Sequence, residues 1–256
     1  GLVATGVVSV TTSPPGASVF IDDHPRGSSP DVFLGIPVGP AHICLRLTDH
    51  HSFCETRQIG SVFAERYRNL HLVPRQPAPR RIGTPDTVQF DPWGRGYVRW
   101  FPGLRDALVF DAGEYRFVRE YPAAAQYAIS RGGALVSLQA EPIPAFGSQI
   151  PPRTPRRLHP DEAGFLYAVD DTLFFHDEAS RQELPLHRFE GESIEQTFFL
   201  PESESFLVLT ETHIYMSPRV GARPMMLFRK DPATSARFFA SAETLVWEQA
   251  GSMWEY

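Results

Sequence analysis

The chain is almost without lysine: of its 24 Lys and Arg residues only Lys230 is lysine, and the rest are arginine. A gene rich in G and C accounts for that more simply than a demand for bidentate pairing at every site. Positive charge is in deficit, the formal net charge being −6. There is thus no basic field of the kind that holds nucleic acid. Long apolar runs are missing too: none approaches the ~18 residues of a membrane span. No signal peptide is visible, since Gly1 opens directly on mature-looking sequence; a leader or lipid anchor removed upstream would leave that start. A Gly-x-Ser-x-Gly elbow and a glycine-rich phosphate loop are both lacking. Gly94-Arg95-Gly96 and Gly132-Gly133 are isolated turn glycines. No stretch sustains a helical period.

What remains is ample for a folded protein. The 256 residues are 42% hydrophobic and 21% charged, proportions of a globular chain rather than a disordered one. The length suits one large or two ordinary domains. Residues 13–39 set the pattern. Three turn signals follow in order: Pro14-Pro15-Gly16, Asp22-Asp23-His24-Pro25-Arg26-Gly27 and Ile36-Pro37-Val38-Gly39. Between the first two, the apolar trio Val19, Phe20 and Ile21 reads as a strand. Pro15 and Pro30 lack the N–H a central strand must donate, so they mark strand ends or edges.

On these residues the chain resembles the PEGA domain, a small all-β module of bacterial and archaeal envelope-associated proteins. The Pro-Glu-Gly-Ala signature stands as Pro14-Pro15-Gly16-Ala17, and the following turn as Ile21-Asp22-Asp23. Gly27-Ser28-Ser29-Pro30 and Ile36-Pro37-Val38-Gly39 then fill the next two motif positions. The resemblance covers about residues 1–74. It departs at Asp23, where glycine is usual, and at His50-His51, in place of Gly-Tyr. Asp enters the left-handed region more readily than most residues, so the first departure suits the turn. The resemblance implies a fold and an envelope setting, and brings no catalytic residue.

The two cysteines are Cys44 and Cys54. Ala41, Ile43, Leu45 and Leu47 share one face of a strand, and His42, Cys44 and Arg46 the other. Across the turn Thr48–His51, Phe53 faces the apolar side and Cys54 the opposite one. Both sulfurs therefore leave one side of one hairpin. Directly opposed, their Cβ atoms would lie roughly 4.5–5.5 Å apart, within reach of a bridge. One register step apart, they would be free thiols. A metal site of His42, Cys44, His50, His51 and Cys54 lacks the usual C-x-x-C spacing and sits poorly with an oxidising setting.

Residues 75–81, Arg-Gln-Pro-Ala-Pro-Arg-Arg, read as a stiff linker. Beyond it, residues 82–256 carry strands centred near Val98, Val136, Tyr167, Val208 and Val246, at intervals of roughly 40 residues. The clearest units are 163–177, 204–217 and 242–256, each a strand, a polar tip and a second strand. The tips are Asp170-Asp171, Glu211-Thr212 and Ala250-Gly251. Successive antiparallel units of this length read as a β-propeller. Neither a Trp-Asp dipeptide nor the repeated glycine pairs of kelch units are present. A second β-sandwich or an open meander is the competing architecture. Thr87–Phe90 is the expected outer strand completing the last unit. The predicted fold class is all-β: a PEGA-like β-sandwich followed by a propeller-like repeat domain.

Candidate chemistry is sparse. Asp22-Asp23-His24 matches a turn whose Asp side chains cap their own backbone better than a cation site. Asp161-Glu162 and Asp170-Asp171 have the composition of paired glycosidase carboxylates, but they fall at strand ends, where exposed acids are routine. His176-Asp177-Glu178 would alternate faces of a strand and not converge. Trp93, Arg95, Tyr97, Arg99, Trp100 and Phe101 combine aromatic rings with arginines, as interaction surfaces do; a buried aromatic core is the alternative. No catalytic residue, cofactor or metal is expected. The expectation is a non-catalytic binding or scaffold protein of the bacterial cell envelope. It would be periplasmic or cell-surface, held at the membrane through a segment outside this chain, with protein or cell-wall polysaccharide partners. A carbohydrate-active enzyme and the sensor ectodomain of a membrane receptor are the alternatives.

Overall fold

The computed structural model describes residues 4–90, 96–101, 107–111, 114–118, 126–129, 135–138, 156–158, 164–177, 179–200, 202–232, 234, 236–239 and 244–256. Among them every regular element is a strand except the short 3-10 turn Pro85–Thr87. No helix is long and apolar enough to cross a membrane. The fold is all-β, built of several small sheets, none closed into a barrel. Two compact units divide the chain: Gly1–Pro77 with Pro155–Phe228, and Ala78–Thr154 with Arg229–Tyr256.

The strands run in chain order as follows. The first seven are β1 (Thr5–Ser13), β2 (Ser18–Ile21), β3 (His24–Ser28), β4 (Asp31–Pro37), β5 (Gly39–Arg46), β6 (Phe53–Ile59) and β7 (Glu65–His71). Next come β8 (Arg80–Gly83), β9 (Val88–Phe90), β10 (Gly96–Trp100), β11 (Ala107–Asp111), β12 (Glu114–Val118), β13 (Gln126–Ile129) and β14 (Leu135–Leu138). Then follow β15 (Arg156–Leu158), β16 (Gly164–Val169), β17 (Thr172–Asp177), β18 (Gln182–Arg188), β19 (Ile194–Phe199), β20 (Phe206–Thr210), β21 (His213–Ser217) and β22 (Met225–Arg229). The last three are β23 (Arg237–Phe239), β24 (Thr244–Gln249) and β25 (Ser252–Glu255).

In the first unit, sheets β4-β1-β7 and β3-β2-β5-β6 enclose one core. Val8, Val10 and Ile36 from one sheet, and Val19, Ile21, Ile43 and Leu45 from the other, are at most 1% exposed. Burial of each such side chain contributes about 1.5–3 kcal/mol. The two-residue loop between β2 and β3 places Asp22 at φ 51° and Asp23 at φ 61°. Both central residues are left-handed, as a type I′ hairpin turn requires. Asp23 supplies the conformation without glycine, and the Asp22 carboxylate accepts a hydrogen bond from the His42 N–H at 2.8 Å.

The same unit holds two four-stranded meanders, β15-β16-β17-β18 and β19-β20-β21-β22. Their second strands contain Tyr167 and Val208. All five residues of β20 are buried, which is why residues 206–209 read as an unbroken apolar run. The β1–β7 module is joined to the second meander by polar groups. Ser203 donates to the Asn69 carbonyl at 2.6 Å, and the His71 N–H to the Ser205 hydroxyl at 2.8 Å. Arg219, between β21 and β22, reaches Glu55 of β6 at 2.7 Å.

The second unit contains β12-β11-β10-β9, the pair β13-β14, and β23-β24-β25-β8. Ile82, Val88, Tyr97, Phe110, Val246 and Met253 form its core. Here the strand expected to complete the last sheet is corrected. Thr87–Phe90 does not do so: Val88–Phe90 pairs with β10. Its place on β25 is taken by Arg80–Gly83, with Glu255 opposite Arg80 and Trp254 opposite Arg81. Thr84 and Thr87 cap the turn between the two strands reciprocally, reversing the chain and sending β8 and β9 to different sheets. Arg80 and Arg81, read from sequence as the end of a linker, are thus strand residues that carry Ile82 into the core at 2% exposure.

Candidate functional site

A cleft of about 790 Å³ opens in the first unit, lined chiefly by the β18–β19 connection, Tyr215 and the start of β22. Its position follows from a fastened loop. After β18 the chain runs Phe189-Glu190-Gly191-Glu192-Ser193, with Gly191 at φ 77°, a conformation that favours glycine. The Phe189 N–H donates to the Asp171 carbonyl at 2.7 Å, and the Ile194 N–H to the Asp170 carbonyl at 3.0 Å. Asp170-Asp171, weighed from sequence as catalytic carboxylates, therefore act through their backbone and hold this loop. The Asp171 carboxylate is bound to Arg188 Nε at 2.7 Å.

Glu192 is the most constrained acid in the cleft. His213 Nδ1 lies 2.7 Å from its Oε1 and Thr210 donates to its Oε2. The Tyr215 hydroxyl stands 3.4 Å from Oε1. Burial pushes the Glu192 carboxyl up, but hydrogen bonds from Thr210, His213 and Thr212 outweigh it and hold the pKa below the usual value. The group stays ionised, as an acceptor and not as a proton donor. Tyr215 moves the other way, raised by its own burial and by the Glu192 charge. Phe189 packs at 4.8 Å from the Tyr215 ring and 4.7 Å from the His187 ring. Burial, then the nearby Arg223, lowers the His187 pKa. His51 reaches the cleft from the β5–β6 tip, which is tied down where its N–H donates to the Val73 carbonyl at 2.8 Å.

The other sequence candidates fall elsewhere. Cys44 and Cys54 are direct cross-strand partners, joined as a disulfide with Cα atoms 4.1 Å apart. His42 Nε2 lies 3.3 Å from Cys44 Sγ. With both sulfurs in the bridge, this trio offers no thiolate to a metal. In Asp22-Asp23-His24 the His24 ring turns back to the Asp22 carbonyl at 2.7 Å. His176 binds Glu183 at 2.9 Å, whereas Asp177 accepts from the Ala179 N–H, so the two diverge as strand alternation requires. Asp161, Glu162 and Glu178 lie outside the described residues.

The aromatic and arginine group separates. Trp93 and Arg95 lie outside the described residues. Tyr97 is a core residue, 1% exposed and stacked on Phe110 at 4.9 Å. Alternation along β10 puts Tyr97 and Arg99 on one face and Trp100 on the other, so no single surface collects them. Arg99 lies over the Phe101 ring at 5.4 Å. The cleft residues themselves were not singled out from sequence. The dense run His187-Arg188-Phe189-Glu190-Gly191-Glu192 was the available signal; nothing local marks His51 or Arg223.

No protein-family model matches this chain. No curated protein is similar to it either. Among solved structures it is similar to two extracellular domains from Bacteroides thetaiotaomicron, one titled as from a one-component system and one from a hybrid two-component system. The first match has a TM-score of 0.32 at 9% identity, covering 100% of this chain and 40% of that one. The second has a TM-score of 0.33 at 8% identity, covering 99% and 39%. An auxiliary nutrient-binding protein of the same organism matches with a TM-score of 0.28 at 11% identity, over 94% of this chain and 78% of that one. The chain thus spans about two fifths of the first two. Likenesses this slight do not fix a fold, still less a function.

Proposed function

We propose that this chain is a non-catalytic binding protein of the bacterial cell envelope, working outside the cytoplasm, with the cleft of the first unit as its binding site. The observation that carries the reading is the preorganised Glu192. Its loop is pinned to the Asp170-Asp171 turn, and its carboxylate is held in place by Thr210 and His213 with acceptor sites to spare. A group held ionised and immobile is suited to receive a ligand's donors at little ordering cost. It is poorly suited to deliver a proton. The PEGA resemblance and the Cys44–Cys54 bridge support an oxidising, extracytoplasmic setting. On this reading the four-stranded meanders are blades of a divergent β-propeller, and the β1–β7 module is a PEGA domain.

The test is co-sedimentation of the full chain with isolated bacterial cell-wall polysaccharide, with the supernatant assayed for released sugar. The chain is expected to pellet with the wall and to release nothing. Soluble fragments would make it an enzyme. Failure to pellet, together with failure to capture any envelope protein, would remove the binding role.

A further inference from the structure

The cleft carries unlike chemistries side by side, and they narrow the ligand. Two arginines, Arg188 and Arg223, and two imidazoles, His51 and His187, line the cleft. Arg188 is taken by Asp171. Among the described residues Arg223 has no ion-pair partner and neither imidazole makes a side-chain hydrogen bond. Two acids face the same space. Glu192 already accepts from Thr210 and His213 and keeps acceptor capacity on its two oxygens, while Glu190 is exposed and without an ion pair among the described residues. The remaining wall is apolar: Phe189, Tyr215, Met225 and Met226. The volume lies within the roughly 300–1,000 Å³ of small-ligand clefts.

Each simpler ligand leaves part of this lining unused or opposed. A phosphate would face Glu190 and Glu192 across the cleft. A hydrocarbon would bury Arg223 without a partner, at a desolvation cost. A neutral sugar would use the acids and the apolar wall but leave the cation idle. We infer that the ligand is an acidic sugar of an envelope polysaccharide, with its carboxylate on Arg223 and His187, its hydroxyls donating to Glu190 and Glu192, and a ring face against Tyr215 and Met226. This inference rests on the binding reading above. Arginine and carboxylate form the strongest hydrogen bonds available to such a pair.

The experiment is calorimetric titration of the full chain with a tetramer of β-1,4-linked glucuronate and, separately, with cellotetraose, its neutral counterpart. The acidic tetramer is expected to bind roughly tenfold tighter, from a charge-assisted contact the neutral sugar lacks. The preference should shrink at about 1 M salt, where the screening length falls to ~3 Å. Arg223→Gln, at an exposed position, should leave folding intact and bring the two affinities together. Glu190→Gln should weaken both sugars alike. Equal affinity for the two tetramers, or an acidic-sugar affinity untouched by Arg223→Gln, overturns the inference. Binding of neither tetramer at millimolar concentration overturns it as well. In these cases the binding reading stands so long as the chain still pellets with cell-wall polysaccharide.

Discussion

Arg219 Nε lies 2.8 Å from the Glu204 carboxylate, in a place where the Glu204 side chain is 3% exposed and that of Arg219 11%. The same guanidinium reaches Glu55 at 2.7 Å and covers the Tyr67 ring at 5.1 Å. Arg57 shares the acids, 3.1 Å from Glu55 and 3.4 Å from Glu65. Burial and the Glu55 charge together raise the Tyr67 phenol far above its ordinary range, so it stays protonated throughout. Glu204 and Arg219 belong to the β19–β22 meander, and Glu55, Glu65 and Tyr67 to the β1–β7 module. The network therefore joins the hydrogen bonds of Ser203 and Ser205 in fastening the two. Arg219→Met would leave Glu204 buried without its cation, at a cost of about 3–5 kcal/mol. Urea unfolding followed by far-ultraviolet dichroism should show that loss, and Glu204→Gln in the same chain should recover part of it. Loss within experimental error of zero would mean the fastening is idle.

The Cys44–Cys54 bridge closes a short loop, with a sequence separation of 10. Chain-entropy reasoning gives a loop of that size about 2–3 kcal/mol of stabilisation. Replacing both residues by serine should lower the urea midpoint correspondingly. Thiol titration of the purified, unfolded protein without reductant should find no free thiol. Two reactive thiols would remove the bridge and restore the His42, Cys44 and Cys54 group as a possible ligand set.

The bridge was half legible in the sequence, because alternation over a single hairpin puts both sulfurs on one side and only the register stayed open. The Asp22-Asp23 turn was legible for a similar reason: its conformation is a property of the residues themselves. Val208 and Val246 marked their sheets because β20 and the middle of β24 are buried on both faces, and Tyr167 marked its own through the alternation of β16. What escaped the sequence was long-range. In Arg80–Gly83 only Ile82 is apolar, and the strand it joins lies at the far end of the chain. For Tyr97 the sequence left a surface reading and a core reading side by side, because nothing beside it announces Glu255. The cleft needs His51 and Arg223 brought together by packing of separate modules, and no local pattern encodes that.

In the second unit, Glu255 gathers three donors. The Tyr97 hydroxyl donates to its Oε2, Tyr115 to its Oε1 at 2.6 Å, and Arg80 to Oε1 at 3.1 Å. The cluster ties β8 and β25 to β10 and β12. Tyr97→Phe keeps the ring on Phe110 and removes one bond to a charged acceptor, worth roughly 1.5–3 kcal/mol. All 4 tryptophans fall in this unit's segments, so indole fluorescence reports on it selectively. The fluorescence-detected urea midpoint should fall for Tyr97→Phe and further for Glu255→Ala. An unchanged midpoint in both variants would show that closure depends on Ile82 and the ladder alone.

Acid should weaken the first unit in two stages. His71 Nε2 is buried with no hydrogen-bond partner among the described residues, and burial pulls its pKa from 6.5 down to about 4. The unfolded chain therefore binds a proton near pH 6.5 that the folded one refuses until about pH 4. Between those values the unfolded state holds more protons, so stability falls as pH falls. The full loss is on the order of 3 kcal/mol, from the size of the displacement. His187, lowered by burial and by Arg223, acts in the same direction. Glu192 has the opposite displacement relative to its charge. Its carboxyl is held below the ordinary value of 4.5, so its contribution is present above that pH and is lost only as pH falls through the folded pKa. Urea midpoints read by dichroism from pH 7 to 5 isolate the histidines from the acids. Over that interval the wild-type midpoint should decline, His71→Gln should decline less, and His71→Gln with His187→Asn should be nearly flat. A wild-type midpoint constant from pH 7 to 5 would mean that the folded protein admits the proton on His71 as easily as water does.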